Sequence, residues 1–199
     1  MKKFIVLFFL VNFSYCQTTL MLDKEKSNIK YSAKHVLHAW EGINNDISGV
    51  AVYNESISKI ALAAQVIDFD SGNSGRDSHS LEVLEALKFP NIKFYSEDIN
   101  SEGNAIIFNG EIEFHGEKKP INVYASIDDD DKQIKIEGKF QIIPSEFLIT
   151  LPSLMLIEIS LFILFKKLEF TVSVIYPSQE WGGTMEELSQ KDVPTGLKY

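Results

Sequence analysis

The chain has 199 residues, 45% of them hydrophobic and 24% charged, which is ordinary for a globular protein and excludes disorder, collagen or coiled coil as the main architecture. The formal net charge is −9 and no basic block is present, so nucleic-acid binding is not expected, because phosphate neutralisation needs clustered Lys and Arg. The single cysteine excludes a disulfide framework and a multi-thiolate zinc site.

The N-terminus has the pattern of a secretory signal peptide. Two lysines precede an apolar run over residues 4–11, and the small residues Ser14 and Cys16 follow. We expect cleavage after Cys16, so residues 1–16 are the predicted signal peptide and the mature protein is expected in the periplasm. An extracellular protein or a lipoprotein anchored at Cys16 is the alternative, although the bulky Tyr15 disfavours a lipoprotein.

Alternation of apolar and polar residues predicts about eight half-buried strands. Turn residues between consecutive segments predict hairpins, so the expected fold is all-β, an antiparallel up-and-down barrel with room for one small ligand. The alternating segments are residues 29–33, 47–53, 60–66, 92–96, 106–114, 121–127, 134–140 and 168–174.

One segment between the third and fourth predicted strands departs from this pattern. Leucines recur at helical spacing within residues 74–87, which predicts one short helix capped by Ser74 or Asp77. Pro90 ends the helical pattern, because the residue before a proline avoids the helical region.

A second apolar stretch, Phe147 to Phe165, is long enough to suggest a membrane span. Pro152 interrupts it, and a charge such as Glu158 near the bilayer centre costs roughly 2.5 kcal/mol or more. We therefore predict two strands around a Pro-Ser turn and no integral membrane span. The barrel domain is expected over residues 17–176, followed by a loosely ordered tail over 177–199.

Small residues are frequent in the predicted strands. They either leave the barrel interior open or merely permit tight packing, and the sequence leaves both interpretations open. The residues concerned are Ala33, Gly49, Ala51, Ala61, Ala63, Ala64, Ala125 and Gly138.

No motif for catalysis or metal binding is present in the sequence. The four histidines, at positions 35, 38, 79 and 115, lack metal-ligand spacing, and no nucleophile or phosphate-loop motif occurs. The acidic run 128–131 lacks EF-hand spacing and is predicted to be a solvated hairpin tip. We expect no catalytic residue, no metal and no cofactor.

Arg76 is the only arginine of the chain. Its planar guanidinium forms bidentate hydrogen bonds that lysine cannot form. It is predicted either to tie the start of the helix to the barrel, with Asp77 as its local partner, or to bind an anionic or carbonyl head group.

These residues together resemble the YceI-like family. The similarity extends over about residues 24 to 175, and the order and spacing of its pieces carry it. The matching pieces are SNIKYSAKH at 27–35, ISGV at 47–50, IDFDSGN at 67–73, RDSH at 76–79, LKFPNIKF at 87–94 with Ser96, and FHGEKKPI at 114–121. The chain departs from the family at 160–162, where Ser-Leu-Phe stands in place of a polar turn.

The resemblance implies an extended, lipocalin-like antiparallel barrel with a long apolar channel for polyisoprenoids, isoprenoid quinones or fatty-acid amides. We therefore predict a periplasmic carrier, not an enzyme, for a long-chain isoprenoid or similar lipid. The alternatives are a membrane-associated or partner-binding protein that uses residues 147–165, and a lipid hydrolase with His79 or His35 as base. A homodimer is left open.

The predicted mechanism is burial of an apolar chain, at roughly 0.8 kcal/mol per CH₂ group. The choice of residues depends on which face of each strand points inward, because a one-residue shift in register moves every side chain of that strand to the other face. The candidate ligand-binding residues are Tyr31, Ala51, Tyr53, Leu62, Ala64, Arg76, Phe94, Phe108, Ile136, Phe140 and Phe170.

Overall fold

The architecture is known from a computed structural model that describes residues 18–34, 39–102, 105–130, 133–150 and 168–177. In these residues ten antiparallel strands form one sheet. The strands are β1 (Thr18–Met21), β2 (Asn28–Lys34), β3 (Ala39–Asn44), β4 (Ile47–Asn54), β5 (Ser56–Gln65), β6 (Asn91–Glu102), β7 (Ala105–Phe114), β8 (Glu117–Asp129), β9 (Gln133–Ile142) and β10 (Leu168–Pro177). The helices are η1 (Val66–Asp68), α1 (Ser74–Val83) and η2 (Pro144–Phe147), of which η1 and η2 are 3₁₀ helices.

The sheet curls into a partly open barrel. Its strand order is β1-β4-β5-β6-β7-β8-β9-β10-β2-β3, so β1 and β3 are the edges. The chain after β1 links two walls, because the Leu22 amide donates to the Gly49 carbonyl at 3.0 Å and the Asp23 amide donates to Ile175 at 2.7 Å. A reciprocal pair of 2.9 Å hydrogen bonds joins Ile43 of β3 to Asp70.

The predicted all-β barrel is confirmed, with two differences in its elements. All eight predicted strands are present, and β1 and β3 are additional. The helix was predicted between the third and fourth strands. Because of the two additional strands, these correspond to β5 and β6, so the helix lies between the fifth and sixth strands of the structure.

Strand alternation separates a buried inner face from an outer face. The inner face of β9, for example, carries Ile134, Ile136 and Gly138, which are buried, while Glu137 and Lys139 are exposed. Directly opposed residues of antiparallel strands lie on the same face of the sheet. The strand register therefore shows which residues of each neighbouring strand belong to the inner face. The buried inner faces together form the core.

Helix α1 lies at one end of the barrel, which we call the helix end. Asn73, and not the predicted Ser74 or Asp77, is the N-cap, and its side chain accepts from the Arg76 amide at 3.0 Å. The helix ends at Val83, earlier than predicted, and Leu87 is fully exposed instead of packed. The Glu85 backbone adopts a positive φ of 44°, which turns the chain out of the helix.

The β7–β8 turn, the β5–β6 connection and η2, which follows β9, lie at the helix end. The first is a two-residue turn in which His115 and Gly116 have φ values of 50° and 79°, as a type I′ hairpin requires. At the opposite end of the barrel, which we call the hairpin end, β4, β6 and β8 end and β5, β7 and β9 begin.

The stretch Phe147 to Phe165 was predicted to form two strands, but its first residue belongs to a 3₁₀ helix. Phe147 completes η2 and is buried, Leu148 has a φ of 56°, and Ile149 is buried. A positive φ interrupts an extended strand, so residues 147–150 are not strand. Residues 151–167, the predicted signal peptide 1–16 and the predicted tail beyond Pro177 lie outside the described residues. Within the described residues, no helix has the length and apolar character needed to cross a bilayer.

Candidate functional site

An apolar cavity occupies the middle of the barrel. Its volume is about 60 Å³, and eight of the ten strands contribute to its wall. Every lining residue is apolar, so the site offers shape and hydrophobic surface to a ligand. The lining residues are Ile29, Ile47, Ile60, Leu62, Ala63, Ala64, Ile92, Phe94, Phe108, Ile112, Val123, Ala125, Ile136, Gly138, Phe140, Val172 and Val174.

Small side chains create part of this space. Ala64, Ala125 and Gly138 all line the cavity. Gly49 and Gly110 act differently: a Cβ atom at Gly49 would lie 2.5 Å from the Leu62 side chain, and one at Gly110 would lie 2.6 Å from the Phe94 ring. Both interpretations of the small residues therefore apply, and Gly138 combines them, since a Cβ atom there would lie 2.8 Å from the Val123 side chain.

The hairpin end of the cavity is closed by a buried apolar layer. Leu20, Ile57, Ile134 and Tyr176 are each 5% exposed or less. Beyond this layer, the Tyr53 hydroxyl donates to Asp129 Oδ2 at 2.9 Å. The hairpin end is therefore filled by packed side chains, and a ligand cannot pass through it without displacing them.

The cavity wall is incompletely buried in the half of the barrel nearer the helix end. Three lining residues, Leu62, Phe94 and Phe140, are only partly buried. Each lies two or three residues from the strand terminus that meets η1, α1 or η2. Lining residues closer still to that end, Ala64 and Ile92, are buried, so the partial exposure lies within the wall and not at its rim.

Six predicted ligand-binding residues line this one cavity: Leu62, Ala64, Phe94, Phe108, Ile136 and Phe140. Ala51 lies opposite Ile60 in the β4–β5 register and is buried in the core, yet it does not line the cavity. Phe170 pairs with Phe140 and Tyr31 in the backbone register, but its side chain lies outside the described part of the structure.

Tyr31, Tyr53 and Arg76 do not line the cavity. Tyr53 lies at the hairpin end, bonded to Asp129. The Tyr31 ring packs against Phe69 with 5.8 Å between centroids. Burial is the main cause that raises the pKa of Tyr31, and the Asp77 carboxylate adds to the shift.

Arg76 ties helix α1 to the preceding turn. Its Nε donates to the Ser71 hydroxyl at 2.9 Å, and its guanidinium lies 5.7 Å from the centroid of the Trp40 ring. Asp77 accepts from both the Ser71 amide and the Ser71 hydroxyl. These contacts fit the predicted structural tie, although Asp77 shares Ser71 with Arg76 and is not its direct ion-pair partner.

Most of the remaining lining residues were missed by the sequence reasoning. They follow the same alternation as the residues that were predicted, so the pattern contained the information. Ile29, Ile47, Ile60, Ile92, Ile112 and Val123 are the clearest cases.

The described histidines lie apart from the cavity wall. His79 is exposed on α1, 3.7 Å from Glu82. His115 is buried at the β7–β8 turn, where its Nδ1 lies 2.9 Å from the Phe147 carbonyl and its Nε2 lies 3.2 Å from a Glu85 oxygen. His35 and His38 lie outside the described residues. Among the described residues, no three His, Cys, Asp or Glu side chains form a metal-binding group.

The barrel, helix α1 and the apolar interior of the described residues fit a YceI-like domain, and the comparisons assign the family. The chain belongs to the YceI-like domain family, which matches residues 20–174. Protein YceI of Salmonella newport (strain SL254) is 26% identical over 114 residues, which are 53% of this chain and 60% of that protein. The chain thus spans less than two thirds of the length of this curated relative.

Two solved structures have the same fold at low sequence identity. BcnA of Burkholderia cenocepacia has a TM-score of 0.69 at 16% identity, and the match covers 77% of this chain and 98% of BcnA. A polyisoprenoid-binding domain from Saccharophagus degradans, implicated in plant cell wall breakdown, has a TM-score of 0.63 at 13% identity, covering 81% and 99% of the two chains.

Proposed function

We propose that this protein binds a long-chain isoprenoid, or a similar amphiphilic lipid, in the barrel cavity and carries it through the periplasm. The observation that carries the proposal is a central cavity whose lining residues are all apolar. Membership of the YceI-like domain family and the fold shared with a polyisoprenoid-binding domain support it.

Burial of apolar surface would provide the affinity, at roughly 0.8 kcal/mol per CH₂ group. The cavity volume of about 60 Å³ is below the roughly 150 Å³ that accommodates benzene. A polyprenyl chain therefore requires the interior to widen. Leu62, Phe94 and Phe140 are best placed to move, because they are lining residues that are only partly buried.

The proposed role is binding and transport, without bond-making chemistry. Because the hairpin end is filled, the tail of the ligand would enter from the helix end and its polar head group would remain there. The pattern of residues 1–16 supports export to the periplasm. Recovery of the protein in the cytosolic fraction with residues 1–16 intact would contradict that location.

Narrowing the cavity tests the binding site. Ala125 is buried on the cavity wall, directly opposite Gly138, so Ala125→Leu places a bulky side chain in the ligand's path. Ala39→Leu is the matched control, because Ala39 is exposed on β3. We expect Ala125→Leu to weaken binding of an isoprenoid quinone at least tenfold and Ala39→Leu to leave it unchanged.

The measurement is a titration with the quinone, followed by quenching of the intrinsic fluorescence. Far-UV circular dichroism of both variants checks that the barrel is folded. Undiminished binding by folded Ala125→Leu would place the ligand elsewhere, and a wild-type protein that binds no quinone or polyprenyl lipid would refute the proposed function.

A further inference from the structure

We propose that the helix end of the barrel docks on the surface of a zwitterionic phospholipid bilayer through three exposed apolar side chains, Ile67, Leu87 and Leu148. The inference rests on the proposed function, since it states where the carrier would contact the membrane that holds its ligand. We call these three side chains the apolar tips.

The apolar tips are unusually exposed for their residue types. Ile67 is 61% exposed, Leu87 103% and Leu148 69%. The fourth large hydrophobic residue of comparable exposure in the described ranges is Tyr124 at 56%, which lies on the outer face of β8. Exposed apolar side chains that cluster at one site mark an interaction surface, whereas single scattered ones are ordinary.

A continuous set of contacts links the segments that carry the tips. Ile67 follows Val66, whose amide donates to the Pro90 carbonyl at 2.8 Å. Leu87 precedes Phe89, whose ring lies 4.4 Å from that of His115.

The third segment joins through the same histidine. His115 Nδ1 lies 2.9 Å from the carbonyl of Phe147, the residue before Leu148. Phe147 in turn packs on Phe114, with 5.6 Å between ring centroids. The tips thus project from three adjacent, packed loops of one end of the barrel.

The partly buried lining residues Leu62, Phe94 and Phe140 lie in the half of the barrel nearer this end. An apolar chain that moves from a bilayer into the cavity would avoid water if the tips were inserted at the lipid interface. Exposed apolar side chains that enter the head-group region provide such contact.

The charges around the tips are mostly acidic, with Asp68 beside Ile67, which disfavours an anionic lipid and favours a zwitterionic one. Lys88, beside Leu87, is 67% exposed and lies 3.7 Å from Glu85. Glu82 on α1 and Glu146 beside the third tip are also exposed. The ammonium group suits a lipid phosphate and the carboxylates suit a choline or ethanolamine group, whereas a basic patch for anionic lipid is not formed by these residues.

The test compares a triple variant, Ile67→Ser with Leu87→Ser and Leu148→Asn, with the control Tyr124→Ser. All four positions are exposed, so the fold should be retained, and Asn suits the positive φ of residue 148. Flotation with phosphatidylcholine vesicles measures binding, and stopped-flow fluorescence measures transfer of an isoprenoid quinone from those vesicles to the protein.

We expect the triple variant to lose at least fivefold in both vesicle binding and transfer rate, and Tyr124→Ser to stay within twofold of wild type. Affinity for a water-soluble short-chain quinone should be unchanged, which separates docking from the proposed function. Vesicle binding that survives the triple substitution, or that requires added phosphatidylglycerol, would overturn the inference. Failure of the wild-type protein to bind the short-chain quinone would instead count against the proposed function.

Discussion

Tyr53 and Asp129 are the residues that join opposite walls of the barrel at the hairpin end. Their strands, β4 and β8, are separated by β5, β6 and β7 in the sheet, so the 2.9 Å hydrogen bond spans the interior rather than a strand pair. The hydrogen bond to the Asp129 carboxylate is the main cause that raises the pKa of Tyr53. Because the folded-state pKa is the higher one, the bond stabilises fully below the unfolded pKa of about 10 and is lost as pH rises through the folded value.

Tyr53→Phe and Asp129→Asn should therefore each lower the free energy of unfolding slightly, by about 0.5 kcal/mol. The difference from wild type should be present near pH 8 and disappear above the pKa of Tyr53. Urea unfolding at the two pH values measures it. The double variant should lose no more than either single variant, and fully additive losses would show that the two side chains do not interact.

Arg76 belongs to the structural contacts of α1. Arg76→Lys keeps the charge but removes the geometry of the hydrogen bonds to Ser71, so it should cost about 1 kcal/mol of stability and change quinone affinity less than twofold. Chemical denaturation and the quinone titration measure the two effects. A large loss of affinity in a variant of normal stability would return Arg76 to the role of head-group ligand.

The alternation of apolar and polar residues predicted which face of the sheet a side chain occupies, but it did not predict where along the barrel axis that side chain lies. Leu62, Phe94, Phe108 and Ile136 were predicted to line the ligand site and do line the cavity. Tyr53 follows the same alternation on β4 but lies beyond the buried layer. Depth along the barrel axis depends on the tilt and stagger of the strands, which a single strand's pattern does not contain.

At the scale of elements, the cap of α1 can be tested by itself. Asn73→Ala removes the acceptor for the Arg76 amide and should cost about 1 kcal/mol, whereas Asn73→Asp keeps an acceptor and should retain most of the stability. Thermal unfolding should show a lower Tm for the alanine variant by about 2–4 °C. Equal Tm values for the two variants would show that the cap does not contribute.

Three elements that were not predicted from the sequence, β1, β3 and η2, each have their own physical reason. β1 has four residues, too few for alternation to be recognised, and it is ordered by pairing with β4. β3 is an edge strand that pairs only with β2 within the described sheet. At η2, tertiary packing of Phe147 against Phe114 accompanies a 3₁₀ turn where β-propensity alone predicted a strand.

At the scale of the whole molecule, the fold separates an apolar interior from a charged exterior. The inner faces supply the cavity and the closed hairpin end, and the partly buried part of the cavity wall lies nearer the helix end. The average hydrophobic content of 45% conceals this division, because the apolar residues of the strands are concentrated on one face. A binding protein for an apolar chain needs this combination of a closed end and an apolar interior.

The central claim is that the cavity holds a long-chain isoprenoid or similar lipid. The most direct measurement is organic extraction of the protein purified from its native host without detergent, followed by mass spectrometry and quantification of the extracted lipid per protein. We predict an apolar chain lipid at near-stoichiometric amount, strongly reduced in Ala125→Leu. Extracts without any such lipid, from protein that also fails to bind added quinone or polyprenyl lipid, would contradict the account.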